Sequence, residues 1–400
     1  MKILCVFGRH NYGDPARGEG YEYRHFLPAL RALGHEVELF DSFSRLVHRD
    51  FAHLNTDLLE TVNRFRPQLM FCVLMGYEVW LETLEAIRAS GVRLLNWGTD
   101  DSWKYREFSR FVAPAFDLWA TTSRAAWQAA RADGHANFVL TQWAADAHAL
   151  AEPLQALQCR HAVSFVGSAY GNRPRWVQAL RDRGIEVACF GHGWPAGPVA
   201  AEAIPHILRE SVVSLNFGDS GLRLQGLALR HNRQLKARVF EVTGAGGCLM
   251  TEPADELADC FEPGREVEVF RQPDELAAKL RHLLDHPDAR DAMARAGQAR
   301  ARREHTYETR FSQLLAALPA VQATRPVDLS DHARVASRHR RDGPARWLRQ
   351  ALAGPCELVW GRPRGTRAAR RLLFEWSWRI SGRRTYEARG LPGRLFYRES

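Results

Sequence analysis

The stretch LKARVFEVTGAGGCLMT, residues 235–251, decides how the rest of the chain is read. Two basic residues, Lys236 and Arg238, precede Glu241 in an apolar turn, and a glycine cluster then runs into a short strand. With a helix starting at Arg238, Glu241 lies one turn in, where a carboxylate gains from exposed backbone amides. A carboxylate accepts hydrogen bonds from two neighbouring hydroxyls, which suits a ribose. Lys236 and Arg238 would then meet a diphosphate. Gly244, Gly246 and Gly247 would let the backbone approach the ligand and would stop the helix. The plain alternative is a glycine-capped helix with a surface glutamate.

Outward from this stretch, short apolar runs alternate with helical patterns. Strands are expected at 161–166, 185–190, 211–217, 248–251 and 267–270, and helices at 172–183, 206–210, 238–243, 274–285 and 287–304. The same rhythm occupies the first 140 residues, with strands at 3–8, 35–41, 69–74, 92–97, 118–121 and 136–140. Strand–helix alternation implies parallel sheet with right-handed crossovers. The expected fold class is therefore α/β, with Rossmann-like domains at 1–150 and 151–318 and a basic extension at 319–400. Ligands of open α/β sheets gather at the carboxyl ends of the strands.

Several strand ends carry candidate groups. FVGSAYGNRPRW (165–176) places Gly167 and Arg173 where a helix N-terminus would offer amides and a guanidinium to an anion. FGHGWP (190–195) offers His192, with Trp194 to stack on a base or sugar, and LNFGDSG (215–221) offers Asn216, Asp219 and Ser220. Each is also ordinary turn chemistry. Near the N-terminus, His10 follows the first strand and would touch an acceptor. Asp100 and Asp101 in NWGTDD (96–101) would orient or deprotonate an acceptor hydroxyl, or else cap the next helix.

Composition narrows the class. The chain has 400 residues, 46% hydrophobic and 25% charged, which is globular composition. Seven cysteines lie scattered with no CxxC pair, as expected of reduced thiols in a cytosolic protein. The opening MKILCVFG turns polar too quickly for a signal peptide, and no window is apolar enough to span a membrane. Of the net charge of +9, residues 331–400 carry +11, from 17 Arg and 6 acids, so the body is slightly acidic. That excludes nucleic-acid binding by the body.

ATTS (120–123), FVGSAYGNR (165–173), KARVFEVTGAGGCLMT (236–251) and LADCFEPGREVEVFRQPDEL (257–276) together resemble the CgeB-like (spore-maturation-protein-like) glycosyltransferases. The resemblance covers residues 1–315. It implies a GT-B fold, two Rossmann-like domains facing across a cleft, with sugar donor in the second and acceptor in the first. It also implies that Glu241 binds ribose, that the glycines after it approach the donor, and that His10 and Asp100 are acceptor-side groups. A second glutamate expected eight positions earlier is replaced by Arg233. The implied activity is sugar transfer from a UDP-, GDP- or dTDP-sugar to a hydroxyl of a cell-envelope glycan or lipid-linked saccharide. No cofactor or metal is expected, because positive groups take the place of a divalent ion. Rival readings are a nucleotide-sugar epimerase on the same fold and a non-catalytic sugar-nucleotide-binding protein.

The tail reads separately. Residues 319–344 have linker composition, 347–360 form a helix broken at Gly354-Pro355, and 366–380 form another. On the second helix, Ala369, Leu372, Leu373, Trp376 and Ile380 share one side, with Phe374 and Trp378 opposite. Three uses compete: binding to anionic lipid on the inner face of the membrane, packing on the body or in a homodimer, and gripping nucleic acid.

Overall fold

A computed structural model describes residues 1–225, 228–340 and 343–399, with side chains outside 219–233 and 340–346. The chain divides into two compact units, one of Met1–Thr141 with Ser312–Ser400 and the other of Gln142–Phe311. Both are built on parallel sheets, as the strand–helix rhythm predicts.

The first unit begins with β1 (Lys2–Phe7), α1 (Tyr21–Ala32), β2 (Glu36–Asp41), α2 (Phe51–Phe65), β3 (Leu69–Cys72), α3 (Leu81–Ala89) and β4 (Arg93–Gly98). Then come α4 (Asp101–Lys104), a π turn (Tyr105–Ser109), α5 (Arg110–Val112), β5 (Leu118–Thr121), α6 (Arg124–Ala132) and β6 (Phe138–Leu140). The six strands lie parallel in the order β2-β1-β3-β4-β5-β6. The order reverses between β1 and β3, and a crevice opens at such a switch point. Every residue of β3 and of β5 is buried, as a sheet covered on both faces requires. The sequence reading passed over α2. Its buried Phe51, Leu54, Leu58 and Val62 recur at helical spacing, and Asp50 caps it by accepting from the His53 amide.

The second unit contains β7 (His161–Val166), α7 (Arg173–Arg181), β8 (Ala188–Phe190), α8 (Ile204–Arg209), β9 (Ser211–Asn216), the hairpin β10 (Asp219–Gln225) and β11 (Ala228–Arg233), and α9 (Ala237–Gly244). It continues through β12 (Leu249–Thr251), α10 (Leu257–Cys260), β13 (Glu268–Val269), α11 (Pro273–Asp285), α12 (Pro287–Glu304) and the start of α13 (Tyr307–Ala317). Its parallel sheet runs β13-β12-β9-β7-β8. The two ends of this unit are pinned to each other. Ala145 donates its amide to His305 at 2.8 Å, and its carbonyl accepts from Tyr307 at 3.2 Å.

The tail forms α14 (Leu329–Arg340), α15 (Gly343–Trp360), α16 (Arg364–Ser381) and α17 (Leu391–Leu395). Residues expected as a linker thus supply a helix, and α15 runs on through Pro355. On α16 the buried side holds Ala369 and Phe374, while Leu372, Trp376 and Ile380 are exposed. The apolar side drawn from sequence is therefore split. Phe374, Tyr386 and Ala388 belong to the core of the first unit, together with Trp80, Phe108 and Trp119. Arg371 grips buried Glu107 with both guanidinium nitrogens, at 3.0 and 2.8 Å, and the Tyr386 hydroxyl donates to the Glu107 carbonyl.

Asp101 is a core residue, contrary to the expectation for two adjacent acids at a strand end. Its carboxylate turns under the sheet and accepts from Ser109, from Thr121, and from the Trp119 indole at 2.9 Å. Gly98 leaves the room, since a Cβ there would collide with that carboxylate. Burial pushes the Asp101 carboxyl above its ordinary range, against the pull of its donors.

Two predictions follow from this packing. Tyr386→Ala empties a fully buried ring site and should cost about 3–5 kcal/mol in urea unfolding. For Asp101 the sign runs toward acid. With the folded value raised, its stabilising contribution is complete below the unfolded value near 3.8 and fades as pH rises through the folded one. Asp101→Asn, which imitates the protonated acid, should therefore gain on the wild type between pH 4 and 7. Asp101→Ala, which orphans the indole N–H, should lose about 1–3 kcal/mol at either pH.

Candidate active site

In the second unit, Glu241 lies on α9, whose N-cap is Lys236 and whose first residue is Ala237. The helix starts one residue earlier than expected, so Glu241 is its fifth residue, beyond the turn whose amides are free. Its positive partner is instead Arg238, 2.5 Å away and one turn back, with both side chains mostly covered. Lys236 donates to Gln234 at 2.8 Å. The three glycines pack against the chain itself. A Cβ at Gly244 would meet Ala145, at Gly246 the 151–153 backbone, and at Gly247 the Leu208 carbonyl. Gly246 also has φ of +83°, which favours glycine. Their smallness seats α9 on its neighbours. In the space a Cβ would need, the chain's own atoms stand where a donor was expected.

The loops after β7 and β8 are joined. Gly167 donates to Phe190, Ala169 donates to His192, each at 2.8 Å, and the Trp194 indole donates to the Gly167 carbonyl at 2.7 Å. Trp194 is thereby held edge-on to Phe165. His192 is exposed. Arg173 opens α7, donates to the Ser168 carbonyl at 3.0 Å and lies over the rings of Tyr170 and Phe165. Asn216, at the end of β9, is buried and donates to Thr251 on β12 at 2.9 Å. The side chains of Asp219, Ser220 and Arg233 lie outside the described residues. The sequence reading missed Glu252, a buried carboxylate just past β12 that accepts from the Gly218 amide at 2.9 Å. Its only signal was an acid directly after an apolar strand.

In the first unit, His10 is half-buried at the end of β1, and its backbone bridges to Glu19. Asp100 occupies the N-cap position of α4 without capping it, and faces Lys104 at 3.4 Å. The structure separates the two adjacent acids, Asp100 toward the strand ends and Asp101 into the core. It gives Asp100 a different companion, Glu22 on α1. The Glu22 carboxyl is pushed up by burial first and by the Asp100 charge as a smaller contribution, with its own backbone amide and His25 opposing. A cavity of about 290 Å³ lies beside these strand ends, lined among others by Tyr12, Met75, Trp103 and Lys104 and by Arg370 and Phe374 of α16. The tail therefore furnishes part of the wall of a cavity in the first unit.

All seven cysteines are free, five of them buried. The ionisable groups near the strand ends are carboxylates, guanidiniums, an amine and the imidazoles of His10 and His192, a set suited to hydroxyl and phosphate ligands.

Comparison with known proteins agrees with this chemistry. A family model described as glycosyl transferase-like matches residues 173–316. No curated protein matches the chain. Among solved structures, Alr3699/HepE from Anabaena in complex with UDP is similar at 13% identity and TM-score 0.53, over 80% of this chain and 100% of that one. Sucrose-phosphate synthase from Thermosynechococcus elongatus is similar at 11% identity and TM-score 0.56, over 79% and 100%. AviGT4, a glycosyltransferase involved in avilamycin A biosynthesis, is similar at 13% identity and TM-score 0.52, over 79% and 96%. At such identities the structural likeness carries the fold, and the 173–316 match carries the chemistry. Together they make the chain a glycosyltransferase built on the GT-B fold.

Proposed function

We propose that the chain moves a sugar from a nucleotide diphosphate sugar, held by the second unit, to a hydroxyl acceptor held by the first. The observation that carries this reading is Glu241 on α9, a mostly covered carboxylate paired with Arg238 inside the segment that matches the glycosyltransferase model. In this reading Glu241 accepts the ribose hydroxyls. The departing diphosphate gathers negative charge, which Arg173, Lys236 and Arg238 and the amides opening α7 and α9 offset. All three cations already have protein partners, so each exchanges a neutral or internal contact for phosphate as the donor arrives. The acceptor oxygen bonds to the anomeric carbon, the bond from that carbon to the diphosphate oxygen breaks, and the acceptor proton passes to Asp100, with His10 as a further acceptor-side group. No metal enters this scheme.

A UDP-sugar is the first donor to try, because the similar Anabaena protein was solved with UDP and with UDP-glucose. GDP- and dTDP-sugars are the alternatives. The CgeB-like kinship rests on the motifs around 165–173 and 236–276. For the acceptor we propose a cell-envelope glycan or lipid-linked saccharide, on the strength of the tail. No helix of the described residues is long and apolar enough to cross a membrane. However, Leu372, Trp376 and Ile380 form an exposed stripe at four-residue spacing on α16, and Leu358, Val359 and Trp360 are exposed at the end of α15. Arginines flank both sets, a composition that suits an anionic lipid surface.

Calorimetric titration should show one of the three nucleotides binding, and Glu241→Ala should weaken it roughly 10- to 100-fold, the worth of charge-assisted hydrogen bonds. Unchanged affinity would remove Glu241 from the ribose site. Isomerised free nucleotide sugar in the absence of acceptor would favour an epimerase. The lipid reading is checked by sedimentation with phosphatidylglycerol vesicles. The full chain should pellet with them, less so at high salt, and a Trp376→Ser, Ile380→Ser double variant should lose most of that binding. Equal recovery of both proteins would sink the membrane assignment.

A further inference from the structure

We propose a metal site in the first unit, made by His48, His53 and Asp57 and suited to Zn²⁺. It involves none of the groups assigned to donor or acceptor. Local sequence assembles it. Asp50 caps α2, which fixes the helix start. His53 and Asp57, four residues apart, then share one face of that helix. His48 comes from the segment between β2 and α2. The three ligand atoms lie within 4.8 Å of one another. His48 Nδ1 is 2.9 Å, and His53 Nδ1 3.3 Å, from the same oxygen, Asp57 Oδ2.

The hydrogen-bond roles show why a cation fits. His48 Nε2 faces the Asp41 carbonyl at 3.3 Å, and a carbonyl only accepts. With the one proton of a neutral imidazole on Nε2, Nδ1 is a bare lone pair. That lone pair points at a carboxylate oxygen, also an acceptor. Two acceptors so close need a positive centre between them, either a second proton on His48 or a metal ion. His53 Nδ1 converges on the same oxygen, is shielded from solvent, and makes no hydrogen bond. One proton serves one nitrogen, whereas one metal ion serves both and the carboxylate.

The dimensions agree. Tetrahedral zinc with bonds of about 2.0–2.2 Å holds its ligand atoms about 3.3–3.5 Å apart. The two contacts to Asp57 Oδ2, 2.9 and 3.3 Å, lie near that spacing, and the two imidazoles, whose ligand atoms lie within 4.8 Å, close on the ion by side-chain rotation. Two imidazoles and a carboxylate are zinc ligands, and a fourth position remains for water. The contact of His48 Nε2 with a backbone carbonyl is the support that metal-bound histidines usually have. His48 itself is buried and stacked on Phe40, whereas His53 and Asp57 are about a quarter to a third exposed, which leaves an entry path. The site sits beneath the seat of the tail. Tyr397 donates its hydroxyl to the His48 carbonyl and packs edge-on against Phe51, 4.7 Å between centroids. A bound ion would fix the 42–50 segment to α2 and so firm the surface on which the tail's last residues rest.

The test uses the tag-free full chain with Co²⁺ as a spectroscopic probe, followed by Zn²⁺. The proposal expects one equivalent of Co²⁺ to give tetrahedral ligand-field bands without thiolate charge transfer, and Zn²⁺ to displace them and raise Tm. His53→Ala and Asp57→Asn, both at partly exposed positions, should lose the bands and the Tm rise while keeping the circular dichroism of the wild type. Absence of the bands in the wild type would overturn the proposal and leave a proton-bridged His–Asp pair. Bands that persist unchanged in both variants would overturn it equally, by placing the metal elsewhere.

Discussion

A parallel sheet has to be buried on both faces, and this constraint organises each unit. The crossovers that make strands parallel also lay helices over them, so the strand interiors are largely apolar. Polar groups are then left mainly to the strand ends and the loops that leave them. The Gln142–Phe311 unit meets the constraint with its own helices. In the other unit the helices between the strands are not enough, and its own distant segment, residues 312–400, completes the core. Phe374 and Tyr386 reach its aromatic cluster, and the Arg371–Glu107 fork fixes α16 against the π turn. The basicity of the tail is thereby partly accounted for by a structural ion pair, not by a polyanionic ligand.

The candidate site shows the same economy. Every cation assigned to phosphate is already held by the protein: Arg173 on its own loop, Lys236 on Gln234, Arg238 on Glu241. Held side chains lose less freedom when a ligand arrives, which favours binding. The glycines of 244–247 serve the same end by letting α9 settle on its neighbours. The glutamate is thus presented by a helix whose position is fixed by contacts on several sides.

Much of this was legible in the sequence. The apolar runs ending in glycine, such as 3–8 and 161–167, gave the strands and their parallel arrangement, because burial on both faces leaves a continuous hydrophobic signature. The helix at Glu241 and the loop at Gly167 were readable from local spacing. Long-range geometry was not. Nothing near Asp101 announces that Trp119, eighteen positions on, donates to it, so the acid read as exposed. The companionship of Glu22 and Asp100 depends on α1 and β4 meeting, which no spacing encodes. Helix α2 was readable in principle from Phe51, Leu54, Leu58 and Val62, and only its mixed polar residues hid it. The split of α16 was partly foreseen, since Phe374 and Trp378 spoiled a clean apolar face. Which face turns inward depended on a partner elsewhere in the chain.

The pinning of Ala145 to residues 305–307 bears on how such a chain assembles. The first unit is interrupted, so its opening strands leave the ribosome long before the tail that completes their core. Closing a loop as long as residues 142–311 costs entropy that grows with the logarithm of its length, about 0.6 kcal/mol for each doubling. A folded insert whose two ends are stapled together removes most of that cost in advance. The chain leaves the insert beside the point where it entered, and for the returning helices the long detour behaves as a short connection. The order of events would then be inside out, with the continuous middle folding first and the divided unit closing around its own two ends.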